Sequence, residues 1–182
     1  MKYNYTEGEL KALLKSMKVV IDTREQQNKH ILEYLEKKKV EVINKKMDFG
    51  DYSFMIPQNT DLAIERDLYF FNDIVIERKF SLGELSNNLT KDRTRFESEL
   101  LRKKDAKFIL MVENGSWEKI KAKMYTSEYK PQSYLATLYS YMARYNIQIN
   151  FVTKDFAPEF ILNTFFYHAR EILKNGGLKN GL

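Results

Sequence analysis

Gly50-Asp51-Tyr52 and Glu77-Arg78-Lys79 are the two places in this 182-residue chain where side-chain types and spacing could do chemistry. The second closes an apolar run, Ile74-Val75-Ile76. In a strand, residues two apart point the same way, about 7 Å apart along the chain. Glu77 and Lys79 therefore share one face, while Ile76 and Arg78 take the other. If the strand that Asp51 begins lies beside this one, Asp51 and Glu77 can meet around one cation. Hard oxygen ligands select Mg²⁺ or Mn²⁺, and Mg²⁺ keeps several waters and uses few carboxylates. Such an ion activates a water and neutralises charge on a scissile phosphate. Lys79 can orient that water or stabilise the transition state as a point charge. Asp22, which ends an earlier apolar run, is the candidate third acid. Two carboxylates and a lysine at strand ends suit metal-dependent phosphodiester hydrolysis. Each motif also has an ordinary reading: Glu-x-Lys as a salt-bridged surface pair, and Gly-Asp before a strand as a turn.

The elements that must position these residues follow from periodicity. Lys18 to Asp22 reads as a short buried strand. Gln27 to Lys38 reads as a helix with Asn28 as cap, and Val40 to Ile43 as a second strand. Tyr52, Phe54 and Ile56 alternate with Asp51, Ser53 and Met55, the period of a third strand. After the turn Pro57 to Asp61, the stretch Leu62 to Asn72 has no clear pattern. Asp73 to Lys79 is the fourth strand. Leu82, Leu85, Leu89, Phe96 and Leu100 keep a helical repeat through a long charged segment. Lys107 to Val112 is a fifth, central strand. Ser116 caps a short helix, Pro131 opens a longer one, and Ile147, Ile149 and Phe151 form a last strand. Pro158 begins a final helix that ends near Gly176-Gly177, before a frayed tail from Leu178 to Leu182. Strands alternating with helices predict an α/β domain with a mixed central sheet and helices on both faces.

Composition narrows the function. Hydrophobic residues make up 43% and aromatics 14%, enough for a substantial core. The chain has no cysteine, which excludes a disulfide framework and thiolate metal sites and fits a reducing cytosol, so a cytoplasmic location is expected. Its two histidines, His30 and His168, are too few and too far apart for a histidine-based metal site. No apolar stretch approaches the ~20 residues needed to span a bilayer, so no membrane partner is expected. A net charge of +5 permits a polyanionic partner without requiring one.

Val20-Ile21-Asp22-Thr23-Arg24-Glu25, then Phe49-Gly50-Asp51-Tyr52, then Ile74 to Lys79 resemble the XPF-type nuclease domain, whose signature is G-D-x(n)-E-R-K-x(3)-D. The likeness continues into Leu85 to Leu89 and Asp92 to Glu97. It implies one nuclease domain over residues 1–182, with a motif-bearing core at about 18–112. The helices at about 131–175 would complete the core or form a dimer. It also implies a restriction-endonuclease-like fold and Mg²⁺- or Mn²⁺-dependent cutting of branched or partly single-stranded DNA, such as flaps and forks. Asp22, Asp51 and Glu77 correspond to the acidic, metal-binding cluster and Lys79 to the catalytic lysine. Arg78 is expected to be structural or to contact DNA. The signature's last Asp falls on Gly83; Glu84 stands one residue later, which on a helix is a turn of 100°. Helix-hairpin-helix units are not seen, which resembles stand-alone bacterial or phage members. Members dimerise through this domain, so a homodimer using the last two helices is expected, as is recruitment by a recombination or replication protein.

Lys91, Arg93, Arg95, Arg102, Lys103 and Lys104 follow the catalytic strand and could hold phosphates. The same run, balanced by Asp92, Glu97, Glu99 and Asp105, also reads as a solvated helix face. Two further functions stay open: a catalytically weak nuclease fold that binds DNA or a partner, and a Holliday-junction resolvase or restriction enzyme of the same fold.

Overall fold

The computed structural model describes residues 4–175. In chain order these form α1 (Glu7–Ser16), β1 (Lys18–Ile21), α2 (Lys29–Lys37), β2 (Val42–Asn44), β3 (Tyr52–Ile56), β4 (Leu68–Tyr69) and β5 (Ile74–Lys79). Then come α3 (Leu82–Leu89), α4 (Arg93–Arg102), β6 (Lys107–Glu113), α5 (Trp117–Lys121), α6 (Pro131–Tyr145), β7 (Ile147–Val152) and α7 (Ala157–Lys174). Among these residues no helix is long and apolar enough to cross a membrane.

The strands make one mixed sheet in the order β2-β1-β3-β5-β6-β7, with β4 added to β3. β1 and β2 are parallel, as are β5, β6 and β7, whereas β3 runs antiparallel between β1 and β5. That reversal positions the site, because the start of β3 lies level with the carboxyl ends of β1 and β5. The Asp22 N–H donates to the Asp51 carbonyl (2.8 Å), and the Asp51 N–H donates to the Ile76 carbonyl (2.9 Å). β3 and β5 share one register pair, Tyr52 with Ile76. Beyond it, the Ser53 hydroxyl donates to the Ile74 carbonyl (2.8 Å).

Each face of the sheet has its own core. Val19, Ile21, Tyr52, Phe54, Ile76, Ile109 and Met111 pack under α1, α2 and α7. Val75, Phe108, Leu110 and Val112 pack under α3, α4 and α6. The mixed sheet with helices on both faces is the architecture the sequence predicts.

Several boundaries differ from expectation. The polar start of the chain carries α1, which a Thr6/Glu9 capping box begins and whose Leu10, Leu13 and Leu14 are buried. The expected turn at Pro57 to Asp61 runs into a 3-10 turn (Thr60–Leu62), and the unpatterned stretch after it holds β4, with Phe70 buried against Phe54 at 4.3 Å between ring centres. The long helical segment breaks into α3 and α4. There Thr90 turns its hydroxyl back to the Ser86 carbonyl and the Asp92 N–H returns to the Asn87 carbonyl. The expected stop at Gly176-Gly177 and the tail beyond lie outside the described residues.

Candidate active site

Gly50 shows why a glycine precedes the acid. Its φ is +73°, and a Cβ there would stand 2.6 Å from the Val75 Cβ on β5. This close approach sets Asp51 against the end of β5, where its Oδ2 accepts from the Arg78 N–H (2.8 Å). Burial, reinforced by the Glu77 carboxylate, pushes Asp51 well above the usual carboxylate range.

Glu77 and Lys79 leave β5 on the same face and meet in a buried ion pair, Lys79 Nζ to Glu77 Oε1 at 2.5 Å. Burial disfavours the ammonium, but Glu77 and Asp51 outweigh it, so Lys79 is held charged above the ordinary lysine range. Its ammonium also lies over the Phe96 ring. Glu84 approaches from α3, its Oε1 4.0 Å from Lys79 Nζ and its Oε2 accepting from the Phe80 N–H (2.7 Å). Burial raises Glu84, against the opposing pull of Lys79. Thus the acid one residue past the signature position does reach the lysine. At that position itself, a Cβ on Gly83 would meet the Thr126 hydroxyl at 2.8 Å.

The fourth acid is Glu99 on α4, one of the acids that balance the basic run where it reads as a solvated face. Its Oε1 accepts from the Gly50 N–H (2.9 Å), and its carboxyl lies beside Glu77. Burial and then Glu77 push it up to about 7. The missed signal was its place on the helical stripe Phe96, Leu100 and Lys103, all buried.

Asp22 lies at the same sheet edge but presents no free oxygen to this cluster. Its Oδ1 accepts from the Arg24 N–H (2.8 Å) and Nε (2.6 Å), and its Oδ2 from Arg24 Nη2 (3.1 Å) and the Met47 N–H (2.6 Å). Arg78 turns to the opposite face. Its guanidinium, 4% exposed, grips Glu113 through Nε (2.7 Å) and Nη2 (3.1 Å) and reaches Glu25 through Nη1 (3.2 Å). Of the two roles expected for Arg78, structural or DNA-contacting, its burial between two carboxylates suits the structural one.

Of the basic run, Lys91, Arg93, Arg95 and Arg102 are exposed, while Lys103 is buried and donates to the Lys104 and Ala106 carbonyls. Arg93 pairs with Glu97 (2.9 Å) and Arg95 with Asp92 (3.6 Å).

Among the described residues, no three His, Cys, Asp or Glu side chains converge into a ready-made metal cage. The donor set nevertheless suits an ion that keeps most of its waters. Glu77 Oε2 is buried with no hydrogen-bond partner in the structure, and the Glu99 carboxyl lies beside Glu77. Two carboxylates so placed need a proton or a cation between them. One or two carboxylates with water is the coordination Mg²⁺ prefers.

The ERCC4 domain model matches residues 21–161. Among solved structures, XPF from Aeropyrum pernix aligns with a TM-score of 0.57 at 19% identity, over 81% of this chain and 64% of that one. XPF from Aeropyrum pernix in complex with DNA aligns at 0.58 and 18% identity, over 85% and 65%. At this identity the likeness is one of fold, and the chain spans less than two thirds of the length of either structure. No curated protein sequence matches it.

Proposed function

The chain belongs to the ERCC4 domain family, and we propose that it is a metal-dependent, structure-specific DNA endonuclease of the cytoplasm that hydrolyses phosphodiester bonds in branched DNA. The observation that carries this reading is the surplus of negative charge around Glu77. Asp51, Glu77, Glu84 and Glu99 crowd one buried ammonium, and Glu77 Oε2 has no partner. Structural ion pairs do not leave such an imbalance.

In this reading Asp51 and Glu77 hold Mg²⁺ or Mn²⁺. The bound ion supplies Lewis acidity at the phosphate and an activated water. Lys79, aimed by Glu77, orients the attacking water or offsets charge on the phosphoryl oxygens. Glu99 holds the Gly50 loop in place and gives up its proton when a cation is bound. Asp22 acts by fixing Arg24 and the Met47 turn beside Asp51, and not as the third metal ligand the resemblance implies. Lys91, Arg93, Arg95 and Arg102 hold phosphates; the exposed pairs of Arg93 and Arg95 are cheap to break.

A homodimer through α6 and α7 is part of the proposal. Ile161, Phe165, Ala169 and Leu173 of α7 are used in the core, while Leu162 and Phe166 on the adjacent stripe are half-buried. A monomeric mass by light scattering at micromolar concentration would end that part. Recruitment by a recombination or replication protein is proposed on family membership alone. One observation favours weak catalysis: the tight contact at Gly83 leaves the family's last acid without a place.

The test is cleavage of end-labelled single strand, duplex, flap, fork and four-way junction with Mg²⁺, Mn²⁺ or EDTA, with Lys79→Ala alongside. Metal-dependent cutting at a branch that the variant lacks is the expected result. Paired symmetric cuts in the four-way junction would point to a resolvase. Binding without cutting on every substrate would overturn the endonuclease reading.

A further inference from the structure

Phe80 directly follows the catalytic lysine, yet it is 49% exposed at the end of β5. It belongs to neither core, and no ring contact holds it among the described residues. Its backbone is nonetheless fixed, because the Phe80 N–H donates to Glu84 Oε2 (2.7 Å) and Ser81 next to it caps α3. Phe80 lines two clefts. One, of ≈ 280 Å³, is lined by Arg24, Glu25, Gln27, Arg78 and Glu84. The other, of ≈ 320 Å³, is lined by Asn114, Lys119, Met124, Tyr125 and Thr126, and Met124 is itself 63% exposed. Each cleft has a cation not buried in an ion pair, Arg24 or Lys119, beside carboxylates, Glu25 and Glu84 in the first and Glu113 in the second, and Phe80 lines both.

We propose that Phe80 is a specificity-determining residue, a wedge that stacks on the unpaired base at a DNA branch point and sets the adjoining strands into the two clefts. The inference rests on the nuclease reading above and deepens it. A rigidly mounted aromatic face accepts any base, because every base has a π-face. It rewards only DNA in which a base is already unpaired, since entering a continuous duplex requires unstacking. Branch preference then comes from the cost of unpairing and needs no base-edge contact. Arg24 and Lys119 would hold the flanking phosphates.

The test measures binding in EDTA, so that cleavage plays no part, to a fork carrying 2-aminopurine at the branch nucleotide and to a matched duplex. The wild type should change the 2-aminopurine emission and prefer the fork. Phe80→Ala should lose the emission change and about tenfold of fork affinity, with duplex affinity unchanged and the melting temperature preserved. Phe80→Trp should retain the preference. Unaltered fork preference and emission in Phe80→Ala would overturn the proposal, as would equal losses on fork and duplex. Its failure is separable from failure of the nuclease reading. A wild type that cuts nothing with Mg²⁺ yet shows a Phe80-dependent emission change would refute the nuclease alone. A wild type that cuts forks as Phe80→Ala does would refute the wedge alone.

Discussion

Strand β5 carries a buried charged cluster on each face, and the two differ in how well they are neutralised. Toward α2, Arg78 is gripped by Glu113 and Glu25, and His30 Nε2 lies 2.8 Å from Glu113. Toward α3 and α4, four acids, Asp51, Glu77, Glu84 and Glu99, surround the single ammonium of Lys79, which pairs with Glu77 (2.5 Å) and stands 4.0 Å from Glu84. Adjacent residues of one strand thus serve opposite ends. Burial of charge does not mark a site, since both clusters are buried; an unbalanced sum of charge does.

The cluster around Arg78 carries the largest expected loss of stability. Arg78→Met leaves Glu113 and Glu25 without their cation and should cost roughly 3–5 kcal/mol in denaturant unfolding. A loss below about 1 kcal/mol would mean that this cluster is not held together by its charges. Asp51→Asn and Glu77→Gln should invert the pattern. Single-turnover cleavage falls roughly 10²–10³-fold or more in each, while Asp51→Asn keeps stability without metal level or raises it, because burial and Glu77 already disfavour the Asp51 carboxylate. Destabilisation of the metal-free protein by Asp51→Asn would make the two clusters alike. Gly50→Ala drives a Cβ into Val75 and should cost roughly 1–3 kcal/mol, with cleavage lowered as Asp51 shifts; an unchanged unfolding midpoint would refute the close approach.

Proton linkage sharpens the same contrast. Glu99 sits at about 7 in the fold against an ordinary 4.5. The folded state holds a proton that the unfolded chain releases, so this contribution is complete below pH 4.5 and is lost as pH rises to about 7. His168 acts oppositely. Burial, with Lys107 nearby, holds it down to about 4 from 6.5, so its contribution is present above pH 6.5 and lost as pH falls toward 4. Between pH 4.5 and 6.5 the two oppose each other. Glu99→Gln should therefore make thermal stability rise more steeply, or fall less, with pH across that window and lessen the decline toward pH 7, with Asp51 and Glu84, raised in the same sense, supplying what remains. A profile identical to wild type would show that Glu99 and Glu77 do not share a proton. The smallest expected effect belongs to the surface pairs: Arg93→Ala with Arg95→Ala should weaken binding to every DNA substrate and reduce the salt slope by ~2. An unchanged slope would return both residues to the solvated-face reading.

The alternation of Tyr52, Phe54 and Ile56 and the apolar runs of β1, β5 and β6 were legible as a mixed sheet, and so was the split of Glu77 and Lys79 from Arg78. What sequence could not supply was neutralisation. Lys103 and Arg102 are neighbours in one basic run, yet Lys103 folds inward onto carbonyls and Arg102 stays exposed. Glu99 looked like one more charge on a charged helix, because its partner, the Gly50 N–H, is 49 residues away. Asp22 had the right position at a strand end, but Arg24, two residues on, claims it. The antiparallel placement of β3, which joins Asp51 to Glu77, is a long-range event that local periodicity does not encode.

The most direct measurement is calorimetric titration of Mn²⁺ into the wild type and Glu77→Gln at neutral pH, in buffers of different ionisation enthalpy. The account predicts binding to the wild type with release of a proton, and no binding to the variant. Equal binding to both, or none to the wild type, would contradict it.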